Sequence, residues 1–91
     1  MDEVSRQAGA IYDEVHAILN SRDLSTQTWC DAQTARLREL RHQMVAHRYA
    51  SYHEYKDQEL EDRLEAVNRL ERFIDGTIRD VAIMAPYADR R

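Results

Sequence analysis

Residues 60–81 read LEDRLEAVNRLERFIDGTIRDV, the clearest helical pattern in the chain. The apolar residues recur at steps of three and four, which is the spacing of one face of an α-helix. Acidic and basic residues four apart on the flanks, such as Glu65 and Arg69, favour the same structure. The sequence therefore predicts a helix, here helix 3, whose apolar stripe is Leu60, Leu64, Val67, Leu70, Ile74, Ile78, Val81 and Ala85.

The limits of helix 3 are predicted from two signals. Ser51, with Glu54 three places later, matches the sequence pattern of a capping box, so the helix is expected to start within residues 51–57. Pro86 is expected to end it and to leave residues 87–91 as a C-terminal tail. Helix 3 is then the longest helix of the chain, at about 40 Å for a rise of 1.5 Å per residue.

Two shorter helices are expected before it. Helix 1 is predicted over about residues 3–20, where apolar residues again recur at steps of three and four. Helix 2 is expected to start at Leu24 and Ser25, since Ser25 can cap the helix and Leu24 can pack on Trp29. It should fade near residues 48–50, and its core seam is Cys30, Gln33, Leu37, Leu40 and Met44.

The fold class that follows is an all-α, three-helix domain over residues 1–86. The 91 residues hold 13 Lys and Arg against 17 Asp and Glu, which gives a net charge of −4. Two Gly and one Pro are too few for the turns of a β-sandwich or barrel. No apolar run approaches the roughly 20 residues that cross a bilayer. We therefore expect no membrane association. The lone Cys30 allows no internal disulfide, which suits a reducing compartment, so we expect a cytoplasmic protein that is not secreted.

A second copy of the chain is expected because the core is small. A chain of this length buries only about two-thirds of its extended surface. The apolar arc of helix 3 also widens beyond Leu70, where Phe73, Thr77 and Met84 join a second edge. We expect a homodimeric helical bundle that associates through this edge and part of helix 2. Gly76 lies in the same stretch, where it either loosens the helix or permits a close helix approach.

Residues 36–56 form a basic island in this acidic chain. They hold five basic residues against two acidic ones, together with three His and three Tyr. A strip of this composition can bind a phosphate backbone. Alternatively, its cations pair with the acids of helix 3, which is ordinary charge matching between helices. The sequence leaves both interpretations open.

A short motif lies inside the basic island. Arg41 is followed by the polar His42, then by a short stretch that ends in His47, and Tyr49 comes two residues later. This arrangement resembles the signature of the HEPN superfamily of small helical proteins, and Tyr49 is similar to the His-x-Tyr extension of its antitoxin-paired branch. The resemblance covers residues 29–81.

The resemblance implies an all-α dimer in which Arg and His of both copies meet in a cleft and cleave RNA without a metal ion or other cofactor. On that basis Arg41 holds the phosphate and His47 acts as the general acid or base, while His42, Arg48 and Tyr49 help to bind the RNA. These residue types suit the chemistry, because histidine titrates near neutral pH and arginine stays charged. A toxin or antiphage setting is also implied. HEPN domains commonly have four or more helices, so this chain is shorter than the family pattern.

Arg41 and His47 cannot both contact one phosphate if they project from a single straight helix. Six residues turn a helix through 600°, which places the two side chains about 120° apart round the axis and about 9 Å apart along it. Two helices packed about a two-fold axis could bring them together. A helix that ends before His47 could do the same.

The same residues also have a purely structural interpretation. His47 can be a core histidine bonded to a carbonyl, and Arg41 can pair with Glu71 at the edge of the apolar arc of helix 3. The chain would then be a small acidic helical interaction protein, a regulator or inhibitor of a larger protein partner, with no catalysis.

Two acid-x-x-His pairs have the spelling of carboxylate-bridged metal sites. They are Asp13 with His16 and Glu39 with His42. Such sites need inward-pointing ligands, whereas Asp13, Glu39 and His42 project more than about 100° from the apolar centre of their own helix and His16 lies at about that limit, so we expect no metal site. Cys30 lies on the seam of helix 2 and is expected to be a small core residue.

Overall fold

The computed structural model describes residues 2–21 and 26–85. Within them the chain forms three helices and no strand: α1 Glu3–Asn20, α2 Gln27–Glu54 and α3 Asp57–Met84. The predicted all-α fold is confirmed. Together the helices make a rod of 51 × 19 × 16 Å. The expected stop at Pro86 and the tail after it lie outside the described residues.

Side-chain caps begin the first two helices. The carboxylate of Asp2 accepts a hydrogen bond from the backbone N–H of Ser5 at 2.8 Å, which satisfies an open donor of the first turn of α1. Thr26 caps α2 in the same way. The limits expected for helix 1 are confirmed by α1. The start signal expected from Leu24 and Ser25 falls outside the described part of the chain.

The second helix runs past the point where the sequence suggested a break. The capping box predicted at Ser51 is wrong, because α2 continues to Glu54 and Ser51 is buried inside it. The Ser51 hydroxyl donates to the carbonyl of His47 at 3.0 Å, so it bonds back into its own helix and does not cap a new one. The third helix starts only at Asp57. Because α2 and α3 each have 28 residues, the expectation that helix 3 is the longest is also wrong.

Two residues, Tyr55 and Lys56, separate α2 from α3. So short a connection makes the two helices antiparallel neighbours along their length. The chain reverses through Asp57, whose φ of 54° lies in the left-handed region. Aspartate tolerates this region better than most residues other than glycine, which explains how the turn is formed without a glycine.

The core lies between the three helices. The predicted seam of α2 is confirmed at Cys30, Leu37, Leu40 and Met44, which are all buried, while Gln33 is half-buried. The seam continues through His47 and Ser51 as far as the end of the helix. The apolar residues of α1 and α3 that complete the core are Val4, Ile11, Val15, Ile18, Val67, Leu70, Ile74 and Val81.

The second edge of α3 faces α1. The ring of Phe73 lies against that of Tyr12, with 5.3 Å between the ring centroids, and Thr77 is buried. A Cβ placed on Gly76 would meet nothing within 4 Å, so no neighbouring helix approaches it closely within the protomer. The widening of the apolar arc therefore reflects packing of both α1 and α2 on α3, and a second copy is not needed to explain it.

Candidate functional site

Arg41 and Arg48 of the predicted site both bind the same acid of α3. Arg41 donates from Nη1 to Glu71 at 2.8 Å and from Nε to Asp75 at 3.0 Å. Arg48 donates to the other carboxylate oxygen of Glu71 and to the side-chain oxygen of Asn68 at 2.7 Å. Glu71 is only 15% exposed, and two guanidinium groups neutralise it. The interpretation that Arg41 pairs with Glu71 is therefore confirmed.

His47 points to a different helix. It is 1% exposed, and its Nδ1 lies 3.1 Å from the side-chain oxygen of Gln7 in α1. Because an amide oxygen can only accept, Nδ1 carries the proton and Nε2 holds a lone pair. That Nε2 is buried without a hydrogen-bond partner among the described residues. Burial and the nearby positive charge of Arg63 lower the pKa of His47, so the ring is neutral at pH 7.

A cluster of polar side chains next to His47 connects the start of α1 to the turn after α2 through hydrogen bonds. The Tyr55 hydroxyl donates to the carboxylate of Asp2, and Arg63 donates to the Ser5 hydroxyl at 2.9 Å. The Arg63 guanidinium also lies over the Tyr55 ring, 5.2 Å from its centroid. The hydrogen bond from Tyr55 lowers the pKa of Asp2, and desolvation raises the pKa of Tyr55. These contacts hold α1 over His47.

The structure thus brings Arg41 and Arg48 together and directs His47 elsewhere. The reason is their position on α2, since the two arginines lie on the flank that meets α3 and His47 lies on the flank that meets α1. The angular separation expected from the sequence is present in the fold. The catalytic pairing of Arg41 with His47 stays a prediction that requires a different arrangement of these side chains.

A third arginine of the basic island is also used between helices. Arg36 donates through Nε and Nη2 to the two carboxylate oxygens of Glu14 in α1, and it contacts Glu39 one turn along at 3.2 Å. The hydrogen bond from Arg36 lowers the pKa of Glu14, and the same bond raises the pKa of Arg36. Pairing with the acids of helix 3, one of the two interpretations of the island, therefore holds for two of its five cations, Arg41 and Arg48, while a third, Arg36, pairs with α1 instead.

Five of the exposed side chains of α2 follow one another in a line that we call the outer stripe: Arg38, His42, Val45, Tyr49 and Tyr52. The exposed fractions of its apolar members are large, at 51% for Val45, 64% for Tyr49 and 54% for Tyr52. Neither Arg38 nor His42 makes an ion pair within residues 2–21 and 26–85. Two residues predicted for the site, His42 and Tyr49, belong to this line.

Arg38, Val45 and Tyr52, the other members of the outer stripe, were not predicted from the sequence as site residues. The signal that could have found them is their spacing, because the five residues follow one another at steps of four, three, four and three. They lie about 130° round the helix from the centre of the buried seam. Large apolar residues repeated on a face turned away from the core indicate a contact surface.

Comparison of the chain with protein-family models, curated proteins and solved structures finds no match. The resemblance to the HEPN superfamily therefore rests on its motif residues and stays a prediction. In the described part of the chain, none of the helices has the length and apolar character needed to span a bilayer. The same residues contain no group of three or more His, Cys, Asp or Glu placed to hold a metal ion.

Proposed function

We propose that this chain is a cytoplasmic, non-catalytic helical interaction protein that binds its partner through the outer stripe of α2. The observation that carries the proposal is the exposure of Val45, Tyr49 and Tyr52 in one line on one helix. Tyrosine is enriched at protein interfaces because it offers a large rigid apolar area together with a polar hydroxyl. An exposed patch of this kind on a small protein has a physical reason to be covered.

The burial of His47 supports a non-catalytic role. A general acid or base must come within hydrogen-bond reach of the group it serves, and a ring that is 1% exposed offers no such access. Its lowered pKa also keeps His47 without the proton that a general acid must donate. The charge of Arg41 is already compensated by Glu71 and Asp75.

An HEPN-like RNA-binding protein of a toxin or antiphage system is the second candidate. One observation favours it: His42 and Tyr49 are exposed beside Arg38, and cations beside stacking aromatics are what single-stranded RNA binds. Metal-independent cleavage by such a protein would require His47 to become accessible and Arg41 to leave Glu71.

An RNA cleavage assay in EDTA separates the two candidates. Single-stranded and structured RNA are incubated with the wild type, Arg41→Ala, His47→Ala and the control Arg72→Ala, which replaces an exposed arginine of α3 away from the outer stripe. We expect no cleavage by any of them. We also expect Arg41→Ala and His47→Ala to melt at lower temperature than the control, because both residues have structural contacts. Cleavage that is lost in Arg41→Ala and His47→Ala, folded like the wild type, but kept in Arg72→Ala would overturn the proposal in favour of the ribonuclease.

A further inference from the structure

We propose that the partner of the outer stripe is the outer stripe of a second copy of this chain, with the two α2 helices antiparallel about a two-fold axis at Val45. This inference rests on the proposed function, because it names the occupant of the same surface. It differs from the dimer expected from the sequence, which used the second edge of helix 3 together with part of helix 2, because here the outer stripe of α2 alone forms the contact.

The spacing of the outer stripe fits a helical partner. Steps of four, three, four and three give an average period of 3.5 residues, which is the period that keeps one face of a helix against another helix. From Arg38 to Tyr52 the stripe extends about 21 Å along α2. A single-stranded nucleic acid has no reason to require this regularity.

The chemistry of the stripe selects the antiparallel direction. In an antiparallel pair centred on Val45, the two Val45 side chains meet on the axis and Arg38 lies opposite Tyr52 of the second copy. His42 then lies beside Tyr49 of the second copy. The Arg38 guanidinium therefore faces the ring of Tyr52, which is an attractive cation–π pairing, and the two rings of His42 and Tyr49 lie side by side. A parallel pair would instead place Arg38 against Arg38 and leave the tyrosines without cations.

Charge also favours a second copy over a polyanion. The stripe itself offers only the exposed Arg38 and His42, whereas Arg36, Arg41 and Arg48 already bind acids. Five side chains on one helix bury less area than a standard interface, which buries about 800 Å² per partner. The dimer should therefore be weak, and its population should rise with concentration.

Disulfide trapping tests the position of the axis. In a Cys30→Ala background, Val45→Cys places two thiols next to each other across the two-fold axis, and mild oxidation should link most of the protein as a dimer. The matched control is Ala10→Cys, which is exposed on α1 away from the stripe. Equal trapping of the two variants would overturn the proposed axis.

An exchange of residues tests the antiparallel direction by sedimentation equilibrium. In the single variant Tyr52→Arg, the introduced guanidinium lies opposite Arg38 of the second copy, so a cation–π contact is replaced by repulsion. Because the two-fold axis makes this change at both ends of the interface, association should weaken about tenfold. Adding Arg38→Tyr restores a cation opposite a ring and should restore association. Failure of the double variant to recover would overturn the antiparallel arrangement.

Two outcomes separate this inference from the proposed function. A wild type that sediments as a monomer up to its solubility limit rejects the second copy as partner and leaves the interaction role standing. If the chain binds a labelled single-stranded RNA, and both Arg38→Ala and Tyr49→Ala abolish this binding, the stripe is an RNA-binding surface. That outcome rejects the second copy as partner and also rejects the proposed function.

Discussion

At the scale of single residues, Glu71 is the acid of α3 that binds two arginines of α2. Its replacement by alanine leaves Arg41 and Arg48 without their shared partner. We expect Glu71→Ala to lower the free energy of unfolding by about 1–2 kcal/mol, because hydrogen bonds to charged groups at a mostly buried acid are lost. Denaturation by urea, followed through the fluorescence of Trp29, measures the change.

The matched control for Glu71 is Glu65, which makes an exposed ion pair with Arg69 one turn along the same helix. Exposed pairs of this kind contribute little, so Glu65→Ala should cost about 0.3–0.5 kcal/mol. If the two variants lose the same stability, the double pairing of Glu71 has no special role in the fold.

His47 gives the protein a dependence of stability on pH. Its pKa is lowered in the folded state from 6.5, so the unfolded chain binds the proton more readily. Stability is therefore fully present above pH 6.5 and is lost as the pH falls, by up to about 1.4 kcal/mol per pH unit. Urea denaturation between pH 7.5 and about pH 5 measures this slope, since carboxylates titrate mostly at lower pH.

His47→Leu removes the titrating group and should flatten this slope, whatever it does to the absolute stability. The control is Ala46→Leu, at an exposed position of α2 that has no titrating side chain. It should keep the slope of the wild type. A slope that survives in His47→Leu would show that the proton is taken up elsewhere.

Residue spacing explains which of these contacts could be predicted. The pairing of Arg41 with Glu71 follows from two helical faces that must meet, so the sequence was sufficient to name it. The contact of His47 with Gln7 depends on how α1 lies along α2, and no pattern within one helix contains that information. The catalytic interpretation of His47 came from a short motif, which does not report burial.

At the scale of the helices, the apolar faces could be predicted from the sequence, whereas the end of α2 could not. The seam from Cys30 to Met44 and the limits of α1 were predicted, because helical periodicity is a repeated signal. The end of α2, expected near residues 48–50, was missed because Ser51 with Glu54 satisfies a local capping rule while tertiary packing buries Ser51 inside α2. A local signal of two residues is outweighed when a long helix gains core contacts by continuing.

Gly76 lies inside α3, where a residue with a side chain would stabilise the helix. Because a Cβ there meets nothing within 4 Å, Gly76→Ala should raise the free energy of unfolding by about 0.5–1 kcal/mol. Gly9→Ala in α1 is the parallel case, as its added Cβ also meets nothing. Thermal melting monitored by circular dichroism measures both changes. A loss of stability at Gly76 alone would mean that another helix, in a second copy, lies against this position.

At the scale of the whole molecule, the distribution of charge sets the affinity for nucleic acid. The basic island looks suited to phosphate in the sequence, but folding places Glu14, Glu71 and Asp75 on its arginines. We therefore expect the wild type to bind single-stranded RNA weakly even at low salt, as judged by fluorescence anisotropy. This expectation concerns binding alone and is independent of any cleavage.

The sharper prediction is that RNA binding can be created by releasing these arginines. Glu71→Gln combined with Asp75→Asn removes two negative charges, changes the net charge from −4 to −2, and frees Arg41 and Arg48 on one flank of α2. The double variant should bind RNA more tightly than the wild type, and its affinity should fall more steeply with salt because more phosphates are neutralised. The control is Glu61→Gln with Asp62→Asn, which makes the same change of charge on exposed residues of α3. If both double variants bind equally, net charge alone sets the affinity. If neither binds more tightly than the wild type, the arginines of the island have no latent affinity for phosphate, and the motif that contains them loses its connection with RNA.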